Sequence, residues 1–164
     1  MNKSLKLWVA VWIAVLIATL SFSGAAETMY ILCNPGSEVN VRDRPSTKGS
    51  TEGRMILGET VETDETKTDN TGRVWYHCTN LGFEANEGWI CAAYVVIDPV
   101  DLTEYEATID ANGRVAAYRS ISGERDWIKN GEAVHVYATA GEWAVTDKGY
   151  IRVKYLLFGD PITE

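Results

Sequence analysis

The chain has 164 residues, 46% of them hydrophobic, and sets 23 acidic side chains against 15 basic ones for a formal charge of −8. So acidic a surface argues against a nucleic-acid partner, because Lys and Arg neutralising phosphates supply most of that affinity. Two histidines and three cysteines, without the paired spacing of a zinc site, argue against a metal centre.

The first stretch, "MNKSLKLWVAVWIAVLIATLSFSGAA", carries two lysines, an apolar run from Leu7 to Leu20, and small residues ending at Ala25 and Ala26. This is the layout of a secretory signal peptide, residues 1–26, entering the translocation machinery as a helix. The apolar run is shorter than the roughly 20 residues that span a bilayer, so cleavage beside Ala25 or Ala26 is expected. Losing Lys3 and Lys6 leaves 13 basic against 23 acidic residues, a formal charge of −10. At physiological salt the repulsion of other polyanions is confined to about 8 Å from the surface, and short-range contacts stay open. Cys33, Cys78 and Cys91 all lie in the exported part, where oxidation is permitted. Three cysteines allow three single pairings and leave one over.

Beyond the leader the sequence reads as short strands. "EVNVRDRPS" from Glu38, "LGETVET" from Leu57, "VWYHC" from Val74 and "GWICAAYVVI" at 88–97 alternate apolar and polar residues between Gly, Asn and Asp. After an acidic connector, "DPVDLTE" from Asp98, the same phrases return in the same order: "RVAAYRSIS" from Arg114, "NGEAVHV" from Asn130, "EWAVT" from Glu142 and "GYIRVKYLLF" at 149–158. Order kept while spacing varies is the mark of an internal repeat whose extra residues are loops. The period of two places Val61, Val134 and Val136 on inward faces, and Gly58 and Gly131 precede their strands where a turn uses positive φ. With no helical period after residue 26, the fold class is all-β. The expected division is 27–97 for the first domain, 98–104 for a linker, 105–159 for a divergent second domain and 160–164 for a tail.

Units of about 60 residues bury only about 60% of their unfolded surface, which makes large rings valuable in so small a core. Packing is accordingly the default role for Trp75, Trp89, Trp127 and Trp143. An enzyme is not indicated. The carboxylates collect in "ETDETKTD" and "LGFEANEGW", read as solvated loops, and His77 and His135 stand singly in strands of different copies. General acid–base work needs titratable groups gathered in one cleft. Phosphate-cradling glycine loops and nucleophile elbows are missing, and no cofactor is implied.

These phrases resemble the bacterial SH3 (SH3b, SH3 type 3) domain, in tandem. The first copy carries the pattern in "VNVRDRPS", "GRMILGETVET", "WYHC" and "GWICAAYV", over about Tyr30 to Ile97. The second, over about Tyr105 to Phe158, keeps the closing phrase but has Ala117 and Tyr118 where Val41 and Arg42 stand, and Ile121 in place of Pro45. The resemblance implies two small SH3-like β-barrels, each closed by a strand, a one-turn 3₁₀ helix near Ala92 to Tyr94 in copy one, and a last strand pairing with the first. Antiparallel pairing of the strands at Tyr30 and Tyr94 would bring Cys33 toward the turn holding Cys91, a disulfide the resemblance favours over free thiols. The family groove carries over onto Arg42, Arg44, Trp75, Trp89 and Tyr94 in copy one, and onto Tyr118, Trp143, Tyr150 and Tyr155 in copy two. Rings suit that role because they cover sugar faces and extended peptides at little entropic cost. The resemblance implies an exported, non-catalytic protein, secreted or cell-wall associated outside a bacterial cytoplasm, that binds peptidoglycan or another envelope component. Two weak sites on one polymer would gain from effective concentration. The alternative is a secreted interaction module for a polypeptide partner. Contact with a membrane is expected only through the signal peptide.

Overall fold

The computed structural model describes residues 26–121 and 123–163. The expected signal peptide lies outside the described residues apart from Ala26. Seven strands, β1 (Glu27–Ile31), β2 (Val39–Arg42), β3 (Thr51–Met55), β4 (Thr60–Thr68), β5 (Val74–Thr79), β6 (Glu87–Cys91) and β7 (Val95–Val96), form one sheet. Their spatial order is β3-β2-β6-β5-β4-β1-β7. Eight more follow among the described residues: β8 (Val100–Asp101), β9 (Tyr105–Ile109), β10 (Arg114–Tyr118), β11 (Arg125–Lys129), β12 (Ala133–Ala140), β13 (Trp143–Thr146), β14 (Gly149–Arg152) and β15 (Leu156–Pro161). The second sheet runs β11-β10-β14-β13-β12-β9-β15, with β8 added beside β12. Adding eight to each strand number of the first order reproduces the second, so the two halves share one topology.

Alternation along the strands explains the core of each half. In the first, Met29, Ile31, Val39, Val41, Met55, Val61, Cys78, Ile90 and Val95 meet in one cluster to which every strand contributes. The sheet must curl around that cluster for all seven strands to reach it. Among the described residues its ends nevertheless do not pair: β3 bonds only to β2, and the two-residue β7 is taken up by β1. The closed barrel that the resemblance implied is thus an open, wrapped sheet. Ala107, Ile109, Val115, Ala117, Ile128, Val134, Val136, Ala144 and Ile151 fill the second half in the same way.

Both repeated decamers fold alike. "GWICAAYVVI" is β6, a 3₁₀ turn at Ala92–Tyr94 and β7, and "GYIRVKYLLF" is β14, a 3₁₀ turn at Val153–Tyr155 and β15. The last strand pairs antiparallel with the first in each, Ile31 opposite Val95 and Ile109 opposite Leu156. Gly58 and Gly131 adopt φ of 85° and 78°, the left-handed turn their strands need.

Three segments differ from the sequence expectation, the first being the tail expected from residue 160, since Asp160 and Pro161 belong to β15 and Pro161 pairs with Tyr105. "ETDETKTD" is not a loop, because β4 continues to Thr68 and pairs with β5 through Glu65–His77 and Lys67–Trp75; its alternating threonines suit a half-exposed hairpin. In the connector, Val100 and Asp101 form β8 and pair with Ala140 and Thr139 of the second sheet.

A third cluster joins the halves. Leu32, at the end of β1, is buried among Ala138, Ala140, Trp143, Val145 and Tyr150, with Leu57, Val96, Val100 and Ile121 packed around them. A β-bulge in β12 between Val136 and Ala138 divides that strand's labour. Before it, Val134 and Val136 serve the second core, and after it Ala138 and Ala140 serve the joint. An extra residue of this kind bends a strand and turns its remaining side chains in a new direction.

Candidate ligand-binding cleft

Register makes the outer faces of the two sheets comparable. In the first half, Glu65 and Lys67 of β4, Trp75 and His77 of β5, Trp89 and Cys91 of β6, and Arg42 of β2 share one face through the pairs Glu65–His77–Trp89, Lys67–Trp75–Cys91 and Arg42–Trp89. The same positions in the second half hold Ala138, Ala140, Trp143, Val145, Tyr150, Arg152 and Tyr118. Three polar positions of the first face, Glu65, Lys67 and His77, are Ala138, Ala140 and Val145 in the second. An apolar face must be covered, and the first half covers it. β13 is consequently buried along its whole length, Tyr150 is 1% exposed, and its hydroxyl donates to the Leu32 carbonyl at 3.2 Å. Burial pushes the Tyr150 phenol well above its ordinary value, so it stays a neutral donor.

Beside this joint lies a cleft of about 1020 Å³ whose walls come from both halves. The first half supplies the segment from Cys33 to Arg42, the Thr71–Trp75 stretch and the 3₁₀ turn with Tyr94; the second supplies Arg119–Ile121, Gly123, Glu124 and Tyr150. Arg42 is braced by Nη1 donating to the Gly49 carbonyl at 2.9 Å and to Thr51 Oγ1 at 3.2 Å. The loop before Trp75 is organised by Asp69. Its Oδ1 accepts from Thr71 N and Oγ1 at 2.8 and 2.6 Å and from Arg73 N at 3.1 Å, while Oδ2 accepts from Trp75 Nε1 at 3.0 Å. Those bonds, the Thr71 hydroxyl first and the Trp75 indole next, hold the Asp69 carboxyl well below the usual carboxylate range.

Of the nine residues the resemblance suggested, Arg42, Trp75, Tyr94 and Tyr150 line this one cleft. Trp75 and Tyr150 present little surface, since both are buried. Arg44 is exposed outside the cleft, with Nη2 on the Lys48 carbonyl at 3.0 Å. Trp89 is buried on the outer face under Lys67 Nζ, 4.7 Å from its ring centre, and beside His77, 5.0 Å centre to centre. Trp143 and Tyr118 meet edge to face at 5.6 Å inside the joint, with the Arg152 guanidinium 3.9 Å above the indole. Tyr155 packs against the second core.

All three cysteines are free thiols. The expected pairing of Cys33 with Cys91 is not formed, although both border the cleft. Cys33 belongs to the first core, whereas Cys91 comes directly after Ile90 on β6 and so turns to the opposite face. Burial pushes the Cys33 thiol up and the Cys78 thiol up to about 12, which keeps both protonated and unreactive.

Sequence reasoning missed Arg73, Arg119 and Glu124, each on a cleft wall. Arg73 had a readable signal, since Asp-Asn-Thr-Gly before "RVW" is a turn sequence that fixes the residue next to it. Arg119 had none, because only the packing of the halves brings its hairpin to the cleft.

No family model and no curated protein matches the chain. Among solved structures it is similar to the endolysin LysPBC5 CBD, at 13% identity and a TM-score of 0.31 over 82% of this chain and 94% of that one. It is also similar to NlpC2 from Trichomonas vaginalis, at 10% identity and a TM-score of 0.31 over 82% of this chain and 49% of that one. The chain thus spans about half of the NlpC2 structure. Likeness this distant decides nothing about function, which rests on the cleft alone.

Proposed function

We propose that the protein is an exported, non-catalytic binding protein, built of two bacterial SH3-like units, that holds peptidoglycan or another cell-envelope polymer in the cleft between them. The observation that carries this reading is the convergence there of Arg42, Trp75 and Tyr94 from one unit with Tyr150 and the Arg119 hairpin from the other. The rim combines ring edges, guanidinium groups and exposed backbone, which fits an extended chain of amides and sugars. The second unit's own aromatic face is spent on the joint, so one site per chain replaces the two that the repeat suggested. Purified peptidoglycan tests the reading: the exported chain, residues 27–164, should sediment with it and stay bound through a salt wash. Loss of all protein in the wash refutes it.

A polypeptide partner is the second reading, favoured by the edge strand β11. Among the described residues it pairs only with β10, and it presents Trp127, 55% exposed with Arg125 stacked 5.2 Å from its centre. A Trp127→Ala variant that still sediments with peptidoglycan like the parent separates the two.

A further inference from the structure

Resting on the envelope-binding reading of the cleft, we infer that the group it recognises is a carboxylate, that ending a wall stem peptide, captured by Arg73 of the first unit in a cleft to which Arg119 of the second adds positive charge. The charges on the cleft wall are Glu38, Arg42, Arg73, Arg119 and Glu124, a net of +1 in a chain of −8. Concentrating cation in one hollow of an acidic protein marks a place for an anion.

Each charged group has a different degree of commitment. Glu38 is answered by Arg54 at 2.6 Å, and Arg42 is tied to Gly49 and Thr51. Arg119 reaches Glu124 at 3.6 Å and Asp126 at 3.7 Å, loose and exposed pairs that a better acceptor can displace. Among the described residues the Arg73 guanidinium has neither a hydrogen-bond nor an ion-pair partner, although its backbone is pinned by Asp69. A fork of N–H donors on an anchored backbone suits bidentate capture of a planar carboxylate.

The rest of the surface limits the anion's size. At −8 the chain repels a polyanion along its length, whereas the one charge at a peptide's terminus meets only the local positive field. Tyr94, on the 3₁₀ turn that also lines the cleft, then flanks the amides that precede the terminus.

The test uses the exported chain and a defined muropeptide, a disaccharide–tetrapeptide with a free C-terminal carboxylate, against the same compound carrying a C-terminal amide, by isothermal titration. The amide should bind about tenfold more weakly, the scale of one charge-assisted hydrogen-bond pair. Arg73→Gln should lose about the same factor for the acid and stop distinguishing acid from amide, the coupling that a direct contact requires. Arg119→Gln should weaken the acid selectively and by less, while Lys129→Gln, an equal charge change on β11, should alter nothing. Circular dichroism checks that each variant is folded. Equal binding of acid and amide by the parent, or undiminished discrimination by Arg73→Gln, overturns the inference. If the chain is retained on peptidoglycan while failing that comparison, only the carboxylate is wrong. If it neither sediments with peptidoglycan nor binds the muropeptide, the envelope reading falls with it.

Discussion

Leu32→Ala tests whether the two halves stand or fall together. Leu32 has no exposed surface and packs on Ala138, Ala140, Trp143, Val145 and Tyr150 of the second half. Its amide donates to the Tyr94 carbonyl at 2.9 Å and its own carbonyl accepts from Tyr150, so alanine keeps both backbone bonds and removes only side-chain packing. A buried Leu→Ala change costs about 3 to 5 kcal/mol from lost transfer energy and the cavity left behind. The neighbouring cleft lets the joint relax, which puts the expected loss at about 3 kcal/mol, a large share of the roughly 5 to 15 kcal/mol a domain possesses. For a chain of this size each kcal/mol moves Tm by about 3 °C, giving a fall of roughly 10 °C. Calorimetry should show one transition displaced as a whole, and urea unfolding monitored by tryptophan emission should show a lower midpoint at unchanged slope. Were the halves independent, Leu32 would be a surface residue of the first and its loss would cost about 0.5 kcal/mol or less. A Tm shift under about 2 °C, or two transitions of which only one moves, refutes the single-body reasoning.

Three further outcomes are expected. His135 contacts Glu106 at 2.9 Å and Glu104 at 2.8 Å, and these bonds, Glu106's foremost, raise its pKa. Its contribution is complete below the ordinary imidazole value of about 6.5 and disappears as pH rises through the raised value, so urea midpoints should drop across that window in the parent and stay flat in His135→Asn. Gly88→Ala should destabilise by about 1 to 3 kcal/mol, the usual cost of overpacking, because a Cβ there strikes Val41 Cγ1 and lies 3.0 Å from the Arg42 carbonyl; an unchanged urea midpoint would contradict the close approach. Tyr94 both lines the cleft and packs against the first core. Tyr94→Ala should cut peptidoglycan affinity roughly tenfold, the scale of an aromatic anchor, and lower Tm by several degrees, while Tyr94→Phe should change Tm little.

Much of the architecture could be read from residues because it is local. The decamers at 88–97 and 149–158 carry their own turn and strand signals, and each folds as its pattern demands. Barrel closure failed as an expectation because it depends on whether two distant edges meet, which alternation does not encode. The acidic hairpin was misread for a related reason: "ETDETKTD" looks like a solvated loop by charge, yet its threonines at every second or third place hold a strand whose outer face is wet. The joint was legible in part. "WAVT" keeps Val145 where "VWYHC" has the polar His77, and a strand apolar on both faces belongs where both sides are covered. Setting His77 against Val145 in the repeat would have exposed that difference. What no residue could announce is which surface does the covering, so the cleft, a by-product of that docking, stayed hidden, and with it Arg119.

The joint is a heterologous contact, in which the end of β1 and β7 of one unit meets the sheet face of the next, and such contacts extend without limit unless both free ends differ from the used ones. Here they differ. Where the first unit offers Leu32, the second has Asp110, whose amide bonds to Tyr155 as Leu32's does to Tyr94. Where it offers Leu57 before Gly58, the second has Asn130 before Gly131, with its side-chain oxygen taken by the Ala111 amide. On the other side, a third unit would have to bury Glu65, Lys67 and His77, where the second unit buries alanines and a valine. Desolvating such groups without partners costs several kcal/mol, which is ample to stop the series at two. The same polar positions leave that part of the first face wet, while its other members Arg42, Trp75 and Cys91 border the cleft.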